Sequence, residues 1–182
     1  MESYTTQNSL LLNNLLKFYK KTNNLETMLK IINGESDISL RIVDWFATNY
    51  AKQRFTVYNL KNGERFKVYN DYKLKLRAYS KKRFDPFCRW DRIIIPYKEG
   101  TSIQTTLGQL NFFKWALENE VINYIQENYQ DIESDMNTRN STSKLRVVTN
   151  SAQKTRKKRE ELSVSASKSI KRELVTIKVD FD

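Results

Sequence analysis

Residues 7–20, QNSLLLNNLLKFYK, place Leu11, Leu15 and Phe18 at helical spacing, with Leu12, Leu16 and Tyr19 beside them. Apolar positions at this period predict an amphipathic helix with one buried stripe. LETMLKIIN, residues 25–33, predicts a second, shorter helix, and Gly34 stands where a left-handed residue closes one. In ISLRIVDWFATNYAKQ, Leu40, Val43, Ala47 and Tyr50 share a face that Ile42, Trp45 and Phe46 widen, so this helix should lie against the core. Asp37 or Ser39 is placed to cap it.

The period then shortens to two. RFTVYNL alternates, with Phe55, Val57 and Asn59 on one side, and ERFKVYND alternates again with Phe66 and Val68. Asn62-Gly63 between them predicts a β-hairpin, with Lys61 and Glu64 lengthening its turn. DYKLKLRAYSKKRF fits two periods. As a helix it aligns Tyr72, Leu76 and Tyr79 and makes a basic row of Lys73, Arg77 and Lys81. As a strand it alternates Tyr72, Leu74 and Leu76 with Lys73, Lys75 and Arg77. Its Leu, Lys, Arg and Ala content favours the helix, which can end before Pro86.

DRIIIPY predicts a short buried strand ending at Pro96. Residues 107–136, LGQLNFFKWALENEVINYIQENYQDIESDM, predict one long amphipathic helix. Thr105 or Thr106 would cap it, and Leu110, Phe113, Leu117, Val121 and Tyr124 mark its stripe. Gly108 in its first turn disfavours a helix by about 1 kcal/mol relative to Ala, so a close backbone approach would account for it.

From Asn137 the chain turns to Ser, Thr, Asn, Lys and Arg, and alone it could not bury enough apolar surface to order itself. The final RELVTIKVDFD alternates again, with Val175, Ile177, Val179 and Phe181 on one face. Such a strand can join its own sheet or add to a partner's sheet edge. The whole reads as an α+β protein: a globular domain over 1–136 with helices, a small antiparallel β-hairpin or sheet and a long amphipathic helix, then a basic flexible tail over 137–182 ending in a β-strand.

Charge sharpens this picture. Of the net +11, residues 61–98 hold +8 and residues 138–182 hold +7, while residues 99–137 between them hold −6. Segregated charge attracts polyanions or pairs with oppositely charged neighbours, and the acidic helix is a candidate to neutralise the basic middle. The 182 residues contain no histidine and one cysteine, Cys88. That removes the common zinc, haem and iron–sulfur ligand sets and the Ser–His and Cys–His pairs, so a non-enzymatic protein without cofactor or metal is expected. Cys88, with no histidine to activate it, reads as a small hydrophobe. No apolar run reaches the ~18 residues that span a bilayer, and the N-terminus reads as a first helix rather than a secretion signal.

Two clusters could carry chemistry. AYSKKRFDPFCRWDR sets Lys81, Lys82, Arg83, Arg89 and Arg92 among Tyr79, Phe87 and Trp90. With Lys73 and Arg77 upstream, this is the composition of a nucleic-acid contact: cations for phosphates, rings for bases. The competing reading buries the rings, pairs the arginines with Asp85 and Asp91, and makes FDPF a turn. The second cluster is Lys154, Arg156, Lys157, Lys158 and Arg159 in the tail.

SLRIVDWFATNYAKQ, AYSKKRFDPFCRW and TTLGQLNFFKWALENEVINYI, in this order and spacing, resemble an uncharacterised protein family of nucleocytoplasmic large DNA viruses, the giant viruses. The likeness covers roughly residues 38–130, and KKREELSVSASKSIKRE in the tail also matches its style. Trp90 stands where the family pattern leads one to expect arginine. The resemblance implies a viral protein acting in the virion or the cytoplasm of the infected cell, and it transfers no activity to any residue. The expectation is therefore a viral nucleic-acid-binding protein. The alternative is a virion structural protein, a minor capsid or scaffold component, that binds a protein partner through its tail and terminal strand.

Overall fold

The computed structural model describes residues 6–21, 23–89, 92–98, 100–149 and 172–174. Helix α1, Gln7–Lys20, starts at Thr6, whose hydroxyl accepts from the Ser9 N–H. Helix α2, Asn24–Asn33, ends at Gly34 with φ 73°, and the Gly34 and Glu35 N–H groups donate back to Ile31 and Lys30. Helix α3, Leu40–Trp45, is capped by Ser39 rather than Asp37, with the Ile42 N–H donating to the Ser39 hydroxyl. Phe46–Tyr50 then winds as a π-helical turn, and α4, Ala51–Gln53, completes the rod. The wider turn still leaves Phe46, Ala47 and Tyr50 facing the core.

The hairpin forms around Asn62-Gly63. Strand β1, Val57–Asn59, pairs antiparallel with β2, Arg65–Lys67, in the register Val57↔Lys67, Tyr58↔Phe66 and Asn59↔Arg65. The inward pair Tyr58 and Phe66 is in ring contact at 5.6 Å, while Val57, Asn59, Arg65 and Lys67 face outward. Val68 does not extend β2: it opens helix α5, Val68–Phe84, which settles the ambiguous basic segment as helix.

A second sheet holds β3, Arg92–Pro96, and β4, Thr101–Thr106, with β5, Arg172–Leu174, antiparallel on the far side of β4. One expectation is corrected here. The β3 strand is not buried throughout: only Ile95 is, and Ile94, on the opposite face of the strand, is 65% exposed. Strand β4 itself, TSIQTT, carries a single large apolar residue, Ile103, and so gives almost no alternation to read.

The expected long helix is three. Helices α6, Leu107–Glu118, α7, Val121–Glu127, and α8, Tyr129–Thr149, break at Asn119-Glu120 and at Asn128. At each break an asparagine side chain takes a freed carbonyl: Asn119 Nδ2 donates to Trp115 O and Asn128 Nδ2 to Tyr124 O. Glu120 adopts φ 55°, which turns the chain. The α8 helix runs on past position 136, where the composition shifts.

The core is built round α6, in which Leu107–Phe113, Trp115 and Ala116 are all buried. A helix buried over most of its circumference belongs at a domain's centre. Phe84, Phe112, Tyr72, Trp115 and Phe66 form its aromatic heart, with ring centroids 5.6–6.4 Å apart. Thr106 caps α6 by accepting from the Gln109 N–H.

A candidate nucleic-acid interface

The core sets the geometry of the basic segment. Helix α5 buries Val68, Tyr72 and Phe84, so the opposite face, with Asn70, Lys73, Leu74, Arg77 and Ala78, points to solvent. Lys73 and Arg77 are one turn apart on that face. The helix is held at two points by α6: Trp115 Nε1 donates to Asp71 at 2.7 Å, and Asn111 Nδ2 donates to the Arg83 carbonyl at 2.8 Å. The basic row is not straight. Ser80 has φ 63° and ψ 166°, so Lys81 and Lys82 leave the line set by Lys73 and Arg77.

The predicted cations therefore divide. Lys73, Arg77, Lys81, Lys82 and Arg89 are exposed. Among the described residues, Lys73, Arg77, Lys81 and Arg89 make no ion pair or hydrogen bond through their side chains. Arg83 turns toward α1, where its Nε donates to Asn8 at 2.8 Å and its Nη1 to Gln7. Arg92 lies on β3, away from α5 in sequence and sheet, and donates to Gln104 across the strand pair. Trp90, Lys154, Arg156, Lys157, Lys158, Arg159, Val175, Ile177, Val179 and Phe181 lie outside the described residues.

The described aromatics of the patch belong to the core. Phe84 is fully buried, Tyr79 stacks on it at 6.0 Å, and Phe87 packs half-buried against the same cluster. FDPF is the turn expected of it: Asp85 Oδ1 accepts from the Phe87 N–H at 2.8 Å, and Asp85 O accepts from Cys88. Asp85 is thus occupied by backbone rather than by an arginine. Cys88 is half-buried.

Among the described residues, no ion pair joins the acidic helices to Lys73, Arg77, Lys81 or Arg89. The ion pairs there are local, Lys114–Glu118 at 3.3 Å and Arg139–Asp135 at 2.6 Å, and Asp135 also accepts from Trp45 Nε1. An open groove of about 830 Å³ lies between the α2–α3 turn and the α7–α8 junction, lined by Asp37, Glu127 and Asp131 among other polar residues. No group of three or more Asp, Glu or Cys among the described residues is arranged to hold a metal ion.

One carboxyl is strongly perturbed. Asp44 is pushed up to about 7, first by burial and then by repulsion from Asp85. Tyr72, facing both aspartates, is pushed up as well, mainly by burial. These groups sit behind α5, on the core side of its backbone.

Motif reading passed over one basic element. Arg54, Arg65 and Lys67 are exposed around the hairpin, directly before α5 in the chain. Residues 52–77 hold eight Lys or Arg against Glu64 and Asp71, and the Asp71 carboxylate is taken by Trp115. The signal was present in the hairpin's alternation, which assigns Arg65 and Lys67 to the outward face once Phe66 points in. No helix of the described residues is long and apolar enough to cross a membrane.

Comparison with known proteins bears out the giant-virus resemblance of the sequence. "Uncharacterized protein L507" of Acanthamoeba polyphaga mimivirus is 50% identical over 118 residues, a match covering 60% of this chain and 46% of that relative. The chain thus spans about half the relative's length, and its origin is a giant virus. No solved structure gives a significant match. The family model described as "Family of unknown function (DUF7197)" matches residues 1–173, and the chain belongs to that family.

Proposed function

We propose that this is a non-enzymatic giant-virus protein that binds nucleic acid through phosphate contacts. The observation that carries the reading is the solvent face of α5. Lys73 and Arg77 project from it, Lys81 and Arg89 follow, and none of the four has a carboxylate partner among the described residues. Unpaired exposed cations in a block of net +8 are a source of positive potential that mobile phosphates can answer. With Tyr79, Phe84 and Phe87 packed in or against the core, the α5 contacts would be electrostatic, with little reading of base sequence. Arg83 and Arg92 would serve as struts rather than clamps, given their amide partners.

A fluorescence-anisotropy titration of the intact chain against labelled DNA and RNA tests this. Six to ten phosphate contacts would lower affinity by about 10³–10⁵ between roughly 50 and 200 mM salt. Binding that is absent at low salt, or unmoved by salt, rejects the reading.

A further inference from the structure

Phe55 is the most exposed large apolar residue described, at 84%, and it adopts φ 50°. A bulky side chain in the left-handed region is uncommon, since Cβ crowds the backbone there, and glycine or asparagine would fit better. Nothing in the core requires the ring: Thr56 beside it is buried, and the hairpin's inward contacts come from Tyr58 and Phe66. Phe55 stands two positions before the first outward-facing residue of the hairpin. Val57, itself 36% exposed, pairs across with Lys67, and Asn59 with Arg65. Just before Phe55 in the chain, Arg54 lies over Tyr50 at 5.8 Å and Lys52 over Tyr69 at 5.7 Å, so both cations are held on residues that adjoin the hairpin. The nearby Glu64 carboxylate accepts from Asn62 Nδ2.

We infer that Phe55 is a base-stacking platform and that the outward hairpin face binds single-stranded nucleic acid, with Arg65 and Lys67 on the backbone phosphates. This rests on the nucleic-acid reading above and narrows it. A solvent-facing ring next to Arg54 in the chain, with Lys67 and Arg65 on the adjoining hairpin, suits an unpaired base, which offers a π-face that a duplex hides in its stack. A duplex would meet the cations and leave the ring idle. Because every base has such a face, the site would bind strands without strong sequence preference.

The experiment compares the intact chain with its Phe55→Ala and Phe55→Trp variants, using labelled oligothymidylate of about 20 nucleotides and a duplex of equal length. Losing one stacked base predicts that Phe55→Ala weakens oligothymidylate at least about fivefold while duplex affinity changes less than about twofold. Phe55→Trp should keep the affinity, and its indole emission should be quenched by the strand more than that of the parent, which has three tryptophans of its own. Circular dichroism confirms that these surface variants fold. Unchanged oligothymidylate affinity in Phe55→Ala, with binding still salt-dependent, overturns the platform and leaves the broader reading standing. No binding to either nucleic acid defeats that reading itself. Phe55-dependent binding to phosphatidylserine vesicles without oligonucleotide binding assigns the ring to a lipid surface and overturns the inference.

Discussion

A Cβ placed on Gly108 would stand 2.6 Å from the backbone carbonyl oxygen of Asp85 and 3.2 Å from that of Lys82. The first turn of α6 therefore lies directly on the end of α5 and on the turn that follows it. Neither contact atom is a side chain that could swing aside. Gly108→Ala should destabilise the protein even though alanine is the better helix former by about 1 kcal/mol. Overpacking in a closed core costs about 1–3 kcal/mol or more, and against backbone the upper end applies, so a net loss of at least about 1 kcal/mol is expected. Urea unfolding measures it, and a midpoint that stays put or rises would disprove the close approach.

Ser80 offers the opposite experiment. Its φ of 63° with ψ of 166° falls in a region that is essentially reserved for glycine and costs about 1–3 kcal/mol otherwise. Ser80→Gly should therefore stabilise the chain by about 1 kcal/mol, after allowing for the entropy glycine adds to the unfolded state. A loss of stability in thermal or urea unfolding would mean that the serine side chain is needed for the bend.

Asp44 predicts a pH dependence. Its carboxyl titrates near 7 in the folded chain and near 4 when unfolded. Between those values the unfolded state holds fewer protons, so stability falls as pH rises through the window and levels off above it. The contribution is at most about 4 kcal/mol, from about 1.36 kcal/mol per unit. Asp44→Asn removes it. The variant should gain on the parent steadily from about pH 4 to about pH 7, and parallel urea-derived profiles for the two proteins would refute the assignment.

The charge face has its own variant. Lys73→Gln, Arg77→Gln and Lys81→Gln together alter only exposed side chains, so the fold should be untouched. If each meets one phosphate, the slope of log affinity against log salt for duplex DNA becomes shallower by about 2.7. An unchanged slope would place the contacts elsewhere on the chain.

Elements with strong periodicity were readable in advance. Helices α1 and α2 carry their stripes and caps in plain order, and Asn62-Gly63 announces the hairpin. Ser39 and Thr106 were legible as caps because a hydroxyl stands just before an apolar run. The breaks at Asn119-Glu120 and Asn128 were not, because the apolar period of Leu117, Val121 and Tyr124 continues across them, and asparagine is only mildly unfavourable within a helix. Strand β4 was hidden for the opposite reason: of its five polar residues only Thr105 and Thr106 are buried, where the strand pairs with β3 and runs into α6, a tertiary effect that no local pattern records. In the basic segment the cations were legible, but their partners were not. That Arg83 would find Asn8 and Gln7, 75 and 76 positions earlier, depends on where α1 docks.

The hairpin and α5 are fastened to the protein's middle by four polar ties: Trp115 to Asp71, Asn111 to Arg83, Tyr58 to Asn119, and the Lys61 N–H to Glu120. A surface anchored this way keeps its spacing whether or not anything rests on it. On the proposed reading, a nucleic acid bound there would have to conform to the protein, so flexible strands would settle onto it more readily than rigid shapes that mismatch its contour. The entropy lost on association would then fall on the ligand, whose stiffness, rather than its letter sequence, becomes the property by which this scaffold discriminates.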